Sequence, residues 1–460
     1  MSNQAKYDSL RERFAVFCFQ NYEYFLEDGS FFAKFNFSLC EEHQTGGKEE
    51  TIEFHPCFEI PARHFYHWEA IPKEILDVLV FNIGMIELVS YWKIACPKKV
   101  VIKPYHLDNE QINWWKKLYF NGLGEFFYLN GINAGFDDFM SIEPEPALPA
   151  YCGNTKFCFE EKTLVPVGGG KDSVVTLEAL REKMEIKPLI INPRGATKDC
   201  VRAAGFAEDD TVVINRTLDP VMLEMNRKGY LNGHTPFSAM LAFYTVLLGF
   251  ATKSRYIALS NESSANEPTV PDTEINHQYS KSVAFENDFR HYIFKYVNAD
   301  IQYFSFLRPL NELQIAKLFS RAKNYHKVFR SCNVGSKTDS WCGHCPKCLF
   351  TWLALSPFLK RDELTGIFGK DLLKDNELAA TLEKLDGTAE VKPFECVGTV
   401  GEVSACIEYI VQHNDNLQDT ILNGRDTNAE LSVEDYIRQY DEKNNLPALF
   451  EKILKEKLNG

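Results

Sequence analysis

The chain has 460 residues, 45% hydrophobic and 25% charged, the balance of a globular protein with room for about two or three well-buried domains. Fifty lysines and arginines against 64 aspartates and glutamates leave a net charge of −14, which disfavours a sequence-independent grip on nucleic acid, because that grip works by neutralising phosphates. Thirteen cysteines, an odd number with no secretory leader ahead of them, argue against a disulfide framework and for reduced thiols, some of them holding metal.

The N-terminus, Met1-Ser2-Asn3-Gln4-Ala5-Lys6-Tyr7-Asp8, has neither a basic nor an apolar region, and no apolar stretch reads as long enough to cross a bilayer. The expectation is a cytoplasmic protein with no membrane partner. Residues 1–150 read as an aromatic-rich α+β domain. Strand-like pieces at 14–19, 31–37 and 51–54 are followed by apolar residues at helical spacing over 76–95, interrupted by Gly84, and over 109–120. Trp92, Trp114 and Trp115 read as core. The run Ser141-Ile142-Glu143-Pro144-Glu145-Pro146-Ala147-Leu148-Pro149 predicts a linker, since its prolines oppose both helix and ladder pairing.

Residues 151–360 alternate strands (163–167, 187–191, 211–214, 256–259) with helices (172–184, 197–204, 237–250). Continuous apolar strands in that alternation predict an α/β domain with a doubly wound parallel sheet, whose ligands sit at the C-terminal strand ends. Residues 361–460 read as mainly helical, with a loop at 391–401 and a closing helix over 446–458.

The first of those strands empties into Val167-Gly168-Gly169-Gly170-Lys171-Asp172-Ser173. Glycines let backbone curl around an anion, and the following helix aims its free N–H groups at it. Lys171 precedes Asp172, so the Gly-Lys-Ser/Thr phosphate loop is absent, and Ser173 stands where G-x-G-x-x-G needs its last glycine. The run resembles the S-G-G-x-D-S loop of the PP-loop ATP pyrophosphatases, which cut ATP between its α and β phosphates. Gly168 departs from that pattern in its first position.

Cys332, Cys342, Cys345 and Cys348 form C-x9-C-x2-C-x2-C. Two-residue spacings place sulfurs on one tight turn, and four thiolates suit tetrahedral, structural Zn2+; holding such a loop contributes on the order of 10 kcal/mol to folding. A metal-free thiol cluster or a redox centre is the alternative, and His344 lies between two ligands. Other polar runs are 260–267, which follows the fourth strand and contains Glu262, then 276–282, and 233–238 with His234. Lys392-Pro393-Phe394-Glu395-Cys396-Val397-Gly398-Thr399 is a compact loop carrying a thiol and a carboxylate.

Taken together, the stretches 165–178, 231–239, 261–264, 276–282, 341–348 and 393–398 resemble the UDP-N-acetylmuramoyl-L-alanyl-L-glutamate epimerase (MurL) family. The resemblance implies a PP-loop fold and an ATP- and Mg2+-dependent inversion of the terminal L-glutamate of a UDP-linked muramoyl dipeptide through an acyl-adenylate, with release of AMP and diphosphate in peptidoglycan precursor synthesis. It places phosphates on Gly168, Gly169, Gly170, Lys171 and Ser173 and Mg2+ near Asp172. Its acid/base group is open among His234, Glu262 and Cys396. The alternative is a nucleobase-modifying PP-loop enzyme similar to 7-cyano-7-deazaguanine synthase or a tRNA thiolase. Nothing in the sequence sets the oligomeric state.

Overall fold

The computed structural model describes residues 2–41, 51–145, 156–271, 273–414, 416–425, 427 and 429–459. Among them the strands, in chain order, are β1 (Phe14–Glu27), β2 (Ser30–Glu41), β3 (Thr51–Phe54), β4 (Cys57–Ile60), β5 (Lys99–Ile102), β6 (Ser141–Pro144), β7 (Glu160–Pro166), β8 (Ile186–Ile191), β9 (Val212–Thr217), β10 (Ser254–Leu259) and β11 (Gln302–Ser305). The chain divides into two compact units. One comprises 1–161, 212–257 and 284–302; the other comprises 162–211, 258–283 and 303–460. Both are interleaved along the sequence, whereas composition suggested three consecutive regions.

In the first unit β1 and β2 form a long antiparallel hairpin. Its turn is Asp28-Gly29, both with positive φ, the dipeptide whose twist matches the flanking strands. β2 also pairs antiparallel with β3 and β4, β4 with β9, while β1 and β6 flank β5 in parallel. Alternating phenylalanines on β2 point inward, and Phe19 stacks on Phe81 at 5.9 Å between centroids. Phe81 belongs to the helix Lys73–Trp92, whose residues from Ile75 onward are almost all buried and which packs against the helix Phe237–Ala251.

Three expectations change here. The helix Lys73–Trp92 is long and apolar enough to cross a membrane by length and composition, but 94% of its most apolar 18 residues are buried inside the protein; its apolar faces are used in packing. The expected linker begins as a strand. Ser141–Pro144 forms β6 beside β5 at the sheet edge, because a proline at the end of an edge strand removes no needed ladder bond, and 146–149 lie outside the described residues. The strand expected at 211–214 forms, but it belongs to the first unit and runs antiparallel to β4.

In the second unit the strand order is β11–β10–β7–β8, with β7 and β8 parallel. Helices Lys171–Leu180 and Gly195–Ala203 follow β7 and β8, so the sequence's strand–helix alternation holds at the glycine loop. The remainder is helical, including Glu312–Arg321, Pro346–Leu355, Val400–His413 and Ala448–Asn459.

A buried ion pair ties the first unit together. Arg216 on β9 donates twice to Glu87, at 2.5 and 2.6 Å, and Tyr244 donates to the same carboxylate at 3.2 Å. The Glu87 side chain is only 2% exposed. Removing one partner of such a pair leaves a buried charge uncompensated, so Glu87→Ala destabilises the protein by about 3–5 kcal/mol in chemical denaturation. A loss below about 1 kcal/mol, the range of a surface pair, contradicts the role given to it.

Candidate functional site

The backbone leaves β7 at Pro166 and reaches a helix at Lys171 through the three glycines. Gly169 has φ +82°, and a Cβ there would lie 3.1 Å from the Ala196–Thr197 backbone, so only glycine fits both the conformation and the space. A Cβ on Gly170 would meet Ser331 Oγ at 2.8 Å, whereas one on Gly168 meets nothing within 4 Å. The serine that Gly168 replaces would therefore not clash. Gly170 caps the helix without a side-chain bond, leaving the first N–H groups for a ligand anion. Ser173 Oγ donates to Gly170 O at 3.0 Å, and Arg330 N donates to Gly169 O at 2.7 Å. The loop is thus clamped from its own helix and from the segment just before Cys332.

Lys171 is buried. Its ammonium contacts Asp172 Oδ1 at 2.5 Å and also pairs with Glu312, whose side chain is 4% exposed. Burial alone would pull the lysine down, but Asp172 and Glu312 outweigh it and hold the ammonium above its ordinary value. Glu312 opens the helix Glu312–Arg321, and its N–H donates to Glu402 Oε1 at 2.7 Å. Glu402 is itself the third helical residue in a capping box with Thr399. Burial pushes Glu402 upward, and Glu262 adds to the push.

Beside this cluster lies a second one from the polar loops. Glu262, just past β10, is buried, and burial raises its carboxyl against the pull of Lys281 and Lys171. Lys281 Nζ donates to Cys396 Sγ at 3.1 Å. Burial would raise that thiol, yet Lys281, Lys347 and His277 hold it well below its usual value. Arg308, fully buried, donates to Glu262 O at 2.6 Å and also to Lys281 O.

Of the sequence candidates, Gly168–Ser173, Glu262 and Cys396 therefore all lie in the second unit, where electrostatics couples Asp172 to Glu262 and Glu262 to Cys396. His234 lies in the first unit, where its Nδ1 is 3.4 Å from Glu125; the preceding Gly233 O accepts from buried Lys93 at 2.5 Å. Burial lowers Lys93 to about 8. Glu312, Glu402 and Arg308 were not singled out from sequence. Their roles depend on partners far along the chain, although Thr399-x-x-Glu402 was a readable cap signal.

The sulfurs of Cys332, Cys342, Cys345 and Cys348 lie within 4.8 Å of one another. Gly335 N and Cys342 N donate to Cys332 Sγ at 3.1 and 3.4 Å. Four converging sulfurs with backbone N–H groups aimed at one of them form a cluster that could hold a metal such as zinc. His344 Nδ1 instead contacts Cys342 O at 2.8 Å.

The MurL N-terminal domain matches residues 8–306 and the MurL C-terminal domain residues 328–438. A protein of Xanthomonas oryzae pv. oryzae named UDP-N-acetyl-alpha-D-muramoyl-L-alanyl-L-glutamate epimerase is 34% identical over 362 residues, covering 76% of this chain and 79% of its own. Proteins of the same name from a Micromonospora strain (34% over 336 residues, covering 71% and 73%) and from Salinispora tropica (35% over 322 residues, covering 68% and 69%) are similar.

Because Arg330 holds the glycine loop through its N–H bond to Gly169 O and lies two residues before Cys332, the cysteine cluster and the loop should fail together. Metal analysis is expected to find about one zinc per chain, as a closed four-thiolate site requires. Cys345→Ser should release it and speed backbone hydrogen exchange over 168–173. Unchanged exchange there in a metal-free, folded variant contradicts the coupling.

Proposed function

This chain belongs to the MurL family, and we propose on that premise that it inverts the terminal L-glutamate of UDP-N-acetylmuramoyl-L-alanyl-L-glutamate by an ATP- and Mg2+-dependent route through an acyl-adenylate. The observation that carries the mechanistic part is the buried Lys171 ammonium at an uncapped helix start behind the three glycines. The names of the relatives favour this reading over nucleobase modification.

Chemistry explains why a nucleotide belongs in such a reaction. A free carboxylate suppresses loss of its neighbouring Cα proton, since the carbanion would sit beside a negative charge. Capture of AMP removes that charge and leaves an electron sink, and each pKa unit gained at Cα–H is worth about 1.4 kcal/mol. In a PP-loop arrangement, Gly168–Gly170 and the helix N–H groups would take the diphosphate as it separates, with Lys171 countering its developing charge. Asp172, the most exposed carboxylate of the Lys171 cluster, with Glu262 behind it, has the hard oxygen donors that suit Mg2+, which supplies charge neutralisation when bound. Zn2+ on the four cysteines would serve folding. The whole reaction consumes ATP and water and releases AMP and diphosphate.

The test is direct. Incubation with the muramoyl dipeptide, ATP and Mg2+ is expected to give D-glutamate at the terminus, with solvent deuterium at Cα. Lys171→Met should lower substrate-dependent ATP–pyrophosphate exchange by about a hundredfold or more, the usual loss for a group stabilising developing charge. AMP formation with neither inversion nor Cα exchange contradicts the epimerase reading.

A further inference from the structure

The proposed chemistry leaves one task without an owner: removal of the glutamyl Cα proton. We infer that Cys396 Sγ takes that proton and that Lys281 is the residue that positions it for the task, a step that rests on the acyl-adenylate reading above.

Position and surroundings separate Cys396 from the buried thiols outside the cysteine cluster. Cys18, Cys96, Cys200 and Cys406 are buried, and burial pushes all four upward. These behave as small apolar groups. Cys396 is half-buried, sits in a loop instead of a strand or helix, and receives the Lys281 ammonium at 3.1 Å. Charged groups face it from every neighbouring element. Lys281 and His277 come from the 276–282 run, Lys347 from the helix Pro346–Leu355, Glu262 from the end of β10 and Glu395 from its own loop. Three of these are cationic or can become so, and they prevail over the two carboxylates.

Position matters as much as ionisation. Lys281 and Glu262 are held by one fully buried guanidinium, because Arg308 donates to the backbone carbonyl of each. Glu262 in turn interacts with Asp172 and Lys171 of the glycine loop. A single rigid core therefore carries both the phosphate-facing group and the thiol. Gln278, in the same run as Lys281, is buried with no bond to its Oε1 among the described residues.

The step balances. The Cα–H bond breaks as S–H forms, and its electron pair moves into the adenylate carbonyl as an enolate. A solvent-derived proton then arrives at the opposite face, and the thiol returns its own proton to water.

The experiment measures two partial reactions on the full-length protein with the muramoyl dipeptide: ATP–pyrophosphate exchange and deuterium entry at Cα. Cys396→Ala and Cys396→Ser are expected to keep pyrophosphate exchange while deuterium entry falls at least about a hundredfold, the contribution of a general base. Lys281→Met should move the acidic limb of deuterium entry to higher pH, because the thiol loses its cation, and Lys281→Arg should move it back. Undiminished deuterium entry in either cysteine variant overturns the inference, as does a hydroxylamine-sensitive thioester on Cys396, which would make it a nucleophile. If the wild type exchanges deuterium without exchanging pyrophosphate, the adenylate reading fails instead, and the cysteine variants still decide the base.

Discussion

A lysine ammonium buried at a helix start is the constraint around which the second unit is organised. Left alone there, Lys171 would lose its proton or force the helix apart, since a desolvated charge is costly. Asp172 and Glu312 prevent both outcomes, and Glu312 is in turn fixed by its N–H bond to Glu402. The chain thus carries a charge inward on elements separated by more than a hundred residues, and it does so where three glycines expose backbone N–H groups. Such a buried charge network is poor value for stability alone. The proposed adenylation, in which a polyphosphate and then a developing negative charge are met, gives it a reason.

The surroundings divide the labour. Arg330 holds the loop from outside through its N–H bond to Gly169 O, and the cysteine cluster begins two residues later at Cys332, so a metal there would brace the glycine-loop backbone. Arg308 fixes the two polar loops that carry Glu262 and Lys281. In the first unit the Glu87–Arg216–Tyr244 network and the phenylalanine stack under the long hairpin supply the rigid body on which His234 and Glu125 sit.

Much of this was legible before any coordinates. The glycine run after an apolar strand, the cysteine spacing and the helical periodicity of 76–95 are local signals, and each formed the element it suggested. What escaped was non-local or competed with a local rule. Pro144 pointed to a linker, but an edge position spares the ladder bond that proline cannot make. The strand at 212–217 carries the apolar run of a parallel strand, yet one of its neighbours, β4, runs the other way. Glu312 looked like any polar residue beginning a helix; only Lys171, 141 positions away, gives it meaning. Cys396 was visible as a thiol in a tight loop, while Lys281, which donates to it, was one of many donors in another run. The Asp28-Gly29 turn was readable, and reading it would have joined the first two strands into one hairpin.

The central claim is that the carboxylate beside the inverted carbon captures AMP at the Lys171 loop. Its most direct test uses muramoyl dipeptide carrying 18O in that carboxylate, with the AMP released during turnover examined by mass spectrometry or 31P NMR. The account predicts one 18O atom in the AMP phosphate for each diphosphate formed. AMP free of 18O, with the label kept in the inverted glutamate, would contradict it.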